Sequence, residues 1–314
     1  MTRRSAIRNL MIAGAVSCCT RMPAHPCQQE TQDFVIRSDV RLVVLDVSVK
    51  DRHGGFVPDL TRDNFTVLEN GEPQRITIFA NEDVPVTVGI LVDESRSMLP
   101  KRSEVLAAAG AFIQTSNPQD EMFVLNFNDD VKHGLPAGTL FSDNIGQLIS
   151  ALYRGVPQGR TALNDAIVEG LHQLESGRRE KKALVVISDG GDNASRHTTA
   201  RMFAVVERSL ATIYTVGIFD EDDPDRNPGS LKRLANVSGG EAWFPKSLSV
   251  LPAVCQQAAR EIRTRYTIGY LPALDNHGPL RHIQVRVSVA GRPGLSARTR
   301  TSYRYEEHLN PDSK

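Results

Sequence analysis

Val86-Thr87-Val88-Gly89-Ile90-Leu91-Val92-Asp93-Glu94-Ser95-Arg96-Ser97 joins a near-continuous apolar run to an abruptly polar turn. An apolar run without alternation is how a strand covered on both faces reads. Asp-x-Ser-x-Ser then gathers three oxygen-bearing side chains at the carboxyl end of that strand. Further along, Met122–Phe127, Ala183–Ile187 and Thr212–Phe219 are runs of the same kind. Between them lie segments at helical spacing, marked by Val105, Leu106, Ala109, Phe112 and Ile113, and by Leu163, Ala166, Ile167, Leu171 and Leu174. Strands alternating with helices predict an α/β domain over residues 85–263, built on a doubly wound, mostly parallel sheet.

On either side the period changes to two. In residues 34–84, Arg41, Val43, Leu45, Val47 and Val49 alternate, and a short strand at Thr66–Leu68 leads into Asn70-Gly71, the strongest short hairpin signal, followed by Ile76, Ile78 and Phe79. In residues 264–305, Tyr266–Tyr270, then Ile283, Val285, Val287 and Val289, then Thr299–Tyr305 read the same way, and 306–314 is a tail. Neither flank has enough strands to be stable by itself. The economical expectation is one small β-sandwich made from both flanks, with the α/β domain inserted between them.

The whole chain has 314 residues, 40% hydrophobic and 24% charged, with Gly 23 and Pro 17, which is ordinary globular composition. Lys+Arg 37 against Asp+Glu 37 leaves no basic excess of the kind that drives nucleic-acid binding. Residues 1–27 carry Arg3, Arg4, Arg8 and Arg21 with no acid, then a short apolar and small run from Leu10 to Ser17. That is the n-region and h-region of an export signal, so the expected location is the periplasm, cell envelope or exterior. Thr2–Arg8 also resembles a twin-arginine signal, with Ala6 where a large apolar residue is preferred. Removing those four arginines leaves 33 basic residues against 37 acidic ones, a mildly acidic mature chain. Ala15-Val16-Ser17 fits the small-residue rule for cleavage, and Cys18 after it loosely resembles a lipoprotein site, a candidate lipid anchor. Downstream, no run approaches the length needed to span a bilayer. Cys18, Cys19, Cys27 and Cys255 make no disulfide framework, although a Cys27–Cys255 bridge is conceivable and a buried, inert Cys255 is its alternative.

The chemistry concentrates at the carboxyl ends of the central strands, where ligands of open α/β sheets collect. Asp93, Ser95 and Ser97 stand after the first strand, Gly159-Arg160-Thr161 precedes a helix, and Ala183–Ile187 ends in Ser188-Asp189-Gly190. Two carboxylates and three hydroxyls are hard oxygen donors, suited to Mg²⁺ or Mn²⁺ and less to Ca²⁺. This constellation resembles the metal-ion-dependent adhesion site of the von Willebrand factor type A domain, over about 180 residues from Pro85 to Arg263. Asp93, Ser95, Ser97, Thr161 and Asp189 match that motif residue by residue. The resemblance implies that the serines bind the ion directly, that the carboxylates act directly or through water, and that the threonine engages most closely once a partner is bound. The flanks, with Val47-x-Val49-x-Asp51-x-x-Gly54, Asp63-Asn64-Phe65, Glu69-Asn70-Gly71 and Gln74-x-Ile76, are similar to the von Willebrand-related proteins of acidobacteria. Arg96 departs from the motif, because glycine is common there, and its charge would crowd or oppose the ion. Read without the resemblance, Thr161 could instead cap its helix, Asp189 cap a turn and Asp93 be a solvated carboxylate.

Other motifs point nowhere. Asp223-x-Asp225-x-Asn227 begins like a calcium loop, but Pro228 and Leu234 stand where glycine and glutamate belong. The histidines are scattered, Ser95 lacks a nucleophile elbow, and no phosphate-binding glycine loop follows a strand. The expected function is therefore a non-enzymatic, metal-dependent protein–protein adhesion, in which the ion keeps a coordination position for a carboxylate or other oxygen donor of the partner. A hydrolase using the same ion, with only Glu94 or Asp192 to nominate as base, and a metal-free envelope scaffold are the alternatives.

Overall fold

The computed structural model describes residues 42–219, 224–272 and 278–304. Residues 1–27, expected from the sequence to be an export signal, with Cys18, Cys19 and Cys27, the acidic residues 220–223 and the tail 306–314 lie outside them.

β1 (Val43–Lys50) buries Leu45, Val47 and Val49 on one face. β2 (Phe65–Glu69) and β3 (Glu72–Gln74) form a hairpin through Asn70 and Gly71, whose φ values are 49° and 90°. Two consecutive left-handed residues give the turn whose twist matches paired strands, which is why Asn-Gly stands there. The run from Ile76 to Phe79 is not the return strand of that hairpin. It is β4 (Ile76–Ala80), which crosses into a different sheet, while the short β3, with Pro73 lacking an amide, forms an edge.

The α/β layer follows. β5 (Val86–Asp93), α1 (Arg102–Thr115), β6 (Glu121–Phe127) and β7 (Val131–His133) lead to α2 (Ile145–Leu152) and α3 (Leu163–Glu175). β8 (Lys181–Ser188), α4 (Thr199–Arg208), β9 (Thr212–Gly217), α5 (Pro228–Ser238), β10 (Ala242–Trp243) and α6 (Leu251–Arg263) complete it. The sheet order is β10-β9-β8-β5-β6-β7, parallel throughout except for β7. The chain runs from β5 to β6 on one side and later fills β8 and β9 on the other, so the strand order reverses at β5. All residues of β5 and β6 are buried, as near-continuous apolar runs require.

β11 (Tyr266–Tyr270), β12 (Leu280–Val287), β13 (Ser296–Arg298) and β14 (Ser302–Arg304) return to the flanks. Two antiparallel four-stranded sheets result, β13-β1-β11-β4 and β14-β12-β2-β3, and each draws strands from both sides of the α/β layer. Between them sit Leu45, Val47, Phe65, Val67, Tyr266 and Ile268. Tyr266 is the keystone of this core: its ring lies 5.0 Å from that of Phe65, and its hydroxyl donates to the Val57 carbonyl at 2.6 Å while accepting from the Leu60 amide at 3.0 Å. Cys255, on α6, is fully buried with a free thiol that burial pushes up to about 12, so it is unreactive.

Gly89, in the middle of β5, has no room for a side chain: a methyl group there would overlap the Phe123 ring and a Leu184 methyl. Gly89→Ala should therefore lower stability by about 1–3 kcal/mol, read as a reduced urea midpoint at unchanged slope.

Candidate metal centre

Asp93 is the last residue of β5 and is 2% exposed. Its Oδ1 accepts the Ser95 amide at 2.9 Å, which folds the polar turn back over the strand end. The Ser95 and Ser97 hydroxyls lie 3.1 Å apart, and Ser97 donates to Asp189 Oδ2 at 2.5 Å. From β8, the Ser188 hydroxyl donates to Asp93 Oδ2 at 2.6 Å. Asp189 turns its other oxygen to the Gly191 amide at 3.0 Å. Asp93, Ser95, Ser97 and Asp189 thus form one connected group of oxygens at the carboxyl ends of neighbouring strands. Asp93 is buried rather than solvated, and Asp189 closes a turn within its own loop. Ser188, which the sequence offers only as the first residue of the Ser188-Asp189-Gly190 turn and with no role of its own, is the residue that joins the two strand ends.

Thr161 is joined through its main chain to the loop that follows Asp189. Its amide donates to Asn193 Oδ1 at 2.9 Å, and its carbonyl accepts from the Asn193 and Ala194 amides at 3.0 Å each. The loop that carries Asp189 is thereby stitched to the loop that carries Thr161. Thr161 is not the cap of α3, whose cap position is Ala162. The first amides of α3 are met instead by Asp192 Oδ1, from Asn164 at 3.2 Å, and by the Ser195 hydroxyl, from Asp165 at 3.1 Å. The helix-capping alternative for Thr161 therefore falls, and its hydroxyl carries no capping bond. Asn193 had no signal in the sequence beyond lying in a polar loop. On the other side, the Gln158 amide donates to the Glu94 carbonyl at 2.9 Å and the Arg96 amide to the Gly159 carbonyl at 3.3 Å, so the Asp93 turn also touches the approach to Thr161.

Glu94 is buried and bonded to Arg102, whose Nε lies 3.0 Å from Glu94 Oε2 and whose other nitrogen donates to the Gly155 carbonyl at 2.8 Å. Asn227 caps α5 through the Ser230 amide at 2.9 Å, with Pro228 in the first turn, so it is spent on the helix rather than on a calcium loop.

Burial first, and then the like charge of Asp189, push the Asp93 carboxyl up to about 7, against the hydrogen bonds from Ser188 and Ser95 that pull it down. A cation between the two carboxylates would reverse the second cause and compensate the first. Among the described residues no three His, Cys, Asp or Glu side chains converge as metal ligands. An ion here would rest on two carboxylates and hydroxyls alone, a hard donor set that fits Mg²⁺ or Mn²⁺. Among the described residues no helix is long and apolar enough to cross a membrane.

The family model of the von Willebrand factor type A domain matches residues 87–254. No curated protein matches the chain. Among solved structures, a von Willebrand factor type A protein from Catenulispora acidiphila is similar at 13% identity with a TM-score of 0.51, over 87% of this chain and 76% of that one. That similarity extends the shared fold beyond the α/β layer. Proximal thread matrix protein 1 from the mussel byssus, in a structure with a zinc-occupied MIDAS motif, is 16% identical with a TM-score of 0.47, over 58% of this chain and 49% of that one. The vWF domain of the type V pili tip protein Mfa5 from Porphyromonas gingivalis is 12% identical with a TM-score of 0.45, over 57% of this chain and 95% of that one.

Between the ordinary carboxyl value of 3.8 and about 7, the folded chain holds a proton on Asp93 that the unfolded chain has lost. Stability from this group therefore falls as pH rises through that window. Without divalent ions, Asp93→Asn should gain on the wild type by about 3 kcal/mol between pH 5 and pH 8, at 1.36 kcal/mol per pH unit. Denaturant midpoints of both proteins across that range are the check, and a constant difference would refute the assignment.

Proposed function

The chain belongs to the von Willebrand factor type A domain family, and on that premise we propose that it is an exported interaction protein that captures a partner through a divalent ion. Asp93, Ser95, Ser97, Thr161 and Asp189 would hold Mg²⁺ or Mn²⁺, and a carboxylate or similar oxygen donor of the partner protein would complete the coordination shell. The observation that carries this reading is the linked oxygen group of Asp93, Ser95, Ser97 and Asp189, with two like charges facing one another where the strand order reverses. When bound, the ion supplies positive charge and an open position for a donor. The chain's own contribution is to hold the oxygens at fixed strand ends, with Ser188 and Asn193 as their supports. Export is proposed from Arg3, Arg4, the Leu10–Ser17 run and Ala15-Val16-Ser17, with Cys18 as the candidate site of a lipid anchor.

A hydrolase would need a free general base beside the ion. Glu94 is engaged by Arg102, and Asp192 by Asn164 and Ser195, so neither candidate supports that reading. The metal-free scaffold is decided by the same experiment as the binding reading. An ion that binds only the folded state adds RT ln(1 + [L]/Kd), about 2.7 kcal/mol at roughly 100 times Kd. Millimolar Mg²⁺ or Mn²⁺ should raise the melting temperature of the wild type, and Asp93→Ala should abolish the rise while stabilising the ion-free protein. Thr161→Ala should keep most of the rise and lose capture of the partner from envelope extract. No ion-dependent rise in the wild type, or a full rise in Asp93→Ala, would refute the metal-dependent reading in favour of the scaffold.

A further inference from the structure

The rim of this centre carries a cation that the fold does not use. Arg96 stands between the two serines, is exposed, and makes no side-chain hydrogen bond or ion pair with any described residue. Its amide is bound to the Gly159 carbonyl, which holds it at the seam between the Asp93 turn and the approach to Thr161. Other charged residues of the adjoining loops and of α1 are engaged. Arg160 meets Asp129 at 3.2 Å and the Asn193 carbonyl at 3.3 Å, Arg196 lies 3.9 Å from Asp130, Arg102 holds Glu94, and Asp225 accepts from Asn193 at 2.9 Å. A free guanidinium on the turn that supplies both serines adds positive charge to the rim and opposes the approach of a cation. Nothing in the local structure compensates for that, since Arg96 pairs with neither Asp93 nor Asp189. A partner can compensate by bringing more than one negative charge, because a guanidinium fork holds a carboxylate through two parallel hydrogen bonds.

We infer that Arg96 is a specificity-determining residue that grips a second acidic side chain of the partner, next to the one that completes the ion's shell, so that this surface selects a short run of acidic residues over a single one. The inference rests on the metal-dependent reading above. In an extended segment, neighbouring side chains alternate in direction, and a run of acids therefore offers one carboxylate to the ion while another lies within an arginine's reach of it. A lone carboxylate leaves Arg96 unpaired and the rim repulsion intact.

The test uses the full chain loaded with Mg²⁺ and two dye-labelled glycine peptides, one with a single central aspartate and one with three consecutive aspartates, titrated by fluorescence anisotropy. The wild type should bind the three-aspartate peptide about tenfold more tightly than the single-aspartate one. Arg96→Gly should bind the two alike, and Arg96→Glu should prefer the single-aspartate peptide. Mg²⁺ affinity of Arg96→Gly, by calorimetry, should equal or exceed that of the wild type, which separates a lost contact from a damaged centre. Equal binding of the two peptides by the wild type, failure of the three-aspartate peptide to bind, or a preference that survives in Arg96→Gly overturns the inference while leaving ion binding standing. Absence of Mg²⁺ binding in the wild type overturns the metal-dependent reading itself, and the inference with it.

Discussion

Val92 lies opposite Ile187 in the parallel pairing of β5 with β8, and that register brings the Asp93 carboxylate within a hydrogen bond of Ser188. Strands buried on both faces do not fix their register by alternation, since a one-residue slip would exchange one apolar side chain for another. The polar residues at the strand ends supply what the runs lack. A slip would separate Asp93 from Ser188 and leave a buried carboxylate short of a donor, at a cost comparable to a lost charged hydrogen bond, about 1.5–3 kcal/mol. The oxygen group is thus both the place where chemistry is possible and one of the constraints that locks the central sheet. Gly89 adds a steric constraint from the middle of the same strand, admitting Phe123 and Leu184 where a side chain would block them.

The sandwich is fastened to the α/β layer by charge. Lys50, at the end of β1, pairs with both Glu241 and Glu261, and Arg298 of β13 also reaches Glu241 at 2.9 Å. Arg265 binds the Thr212 hydroxyl at 2.8 Å and the Gly239 carbonyl, while Arg300 binds the Ser209 carbonyl at 2.7 Å. Glu261 is fully buried, and burial together with Glu241 holds its carboxyl above the usual range. Removing Lys50 would strand a buried charge, which is far more damaging than losing a surface pair. The Lys50 ammonium also faces the rings of Phe56 and Trp243 at 4.8 and 5.9 Å. Most of the flank residues that grip the α/β layer are basic, with carboxylates, a hydroxyl and backbone carbonyls as partners, and Asp46 of β1 reverses the polarity by lying 4.0 Å from Lys181 of β8.

Apolar periodicity made the central strands, α1, α3 and the two-sided flanks legible, because burial on one or both faces leaves a mark at every second or every third to fourth residue. Asp93, Ser95, Ser97 and Asp189 were legible as a group because they follow such runs directly. Other features left no such mark. The split between β3 and β4 depends on a crossing between sheets at Arg75, which no local pattern announces. α6 packs through Leu251, Cys255, Ala258, Ala259 and Ile262, a stripe whose middle is small residues, and it carries Glu261 on its buried side, where a sequence reads as solvated. Ser188 and Asn193 are single polar residues whose roles exist only after two loops meet. Arg96 reads in sequence as an obstruction to the ion, yet in the structure it is exposed at the rim.

The two connections between the sandwich and the α/β layer, from β4 into β5 and from α6 into β11, are tied together by the Arg263–Asp83 ion pair. They enter at the amino end of β5, whereas Asp93 lies at its carboxyl end, roughly 23 Å away across the seven steps from Val86 to Asp93. Tension between a captured partner and the flanks would accordingly run along the axis of β5. That direction loads the ladders to β6 and β8 in shear, with all their hydrogen bonds sharing the force, instead of peeling them one at a time.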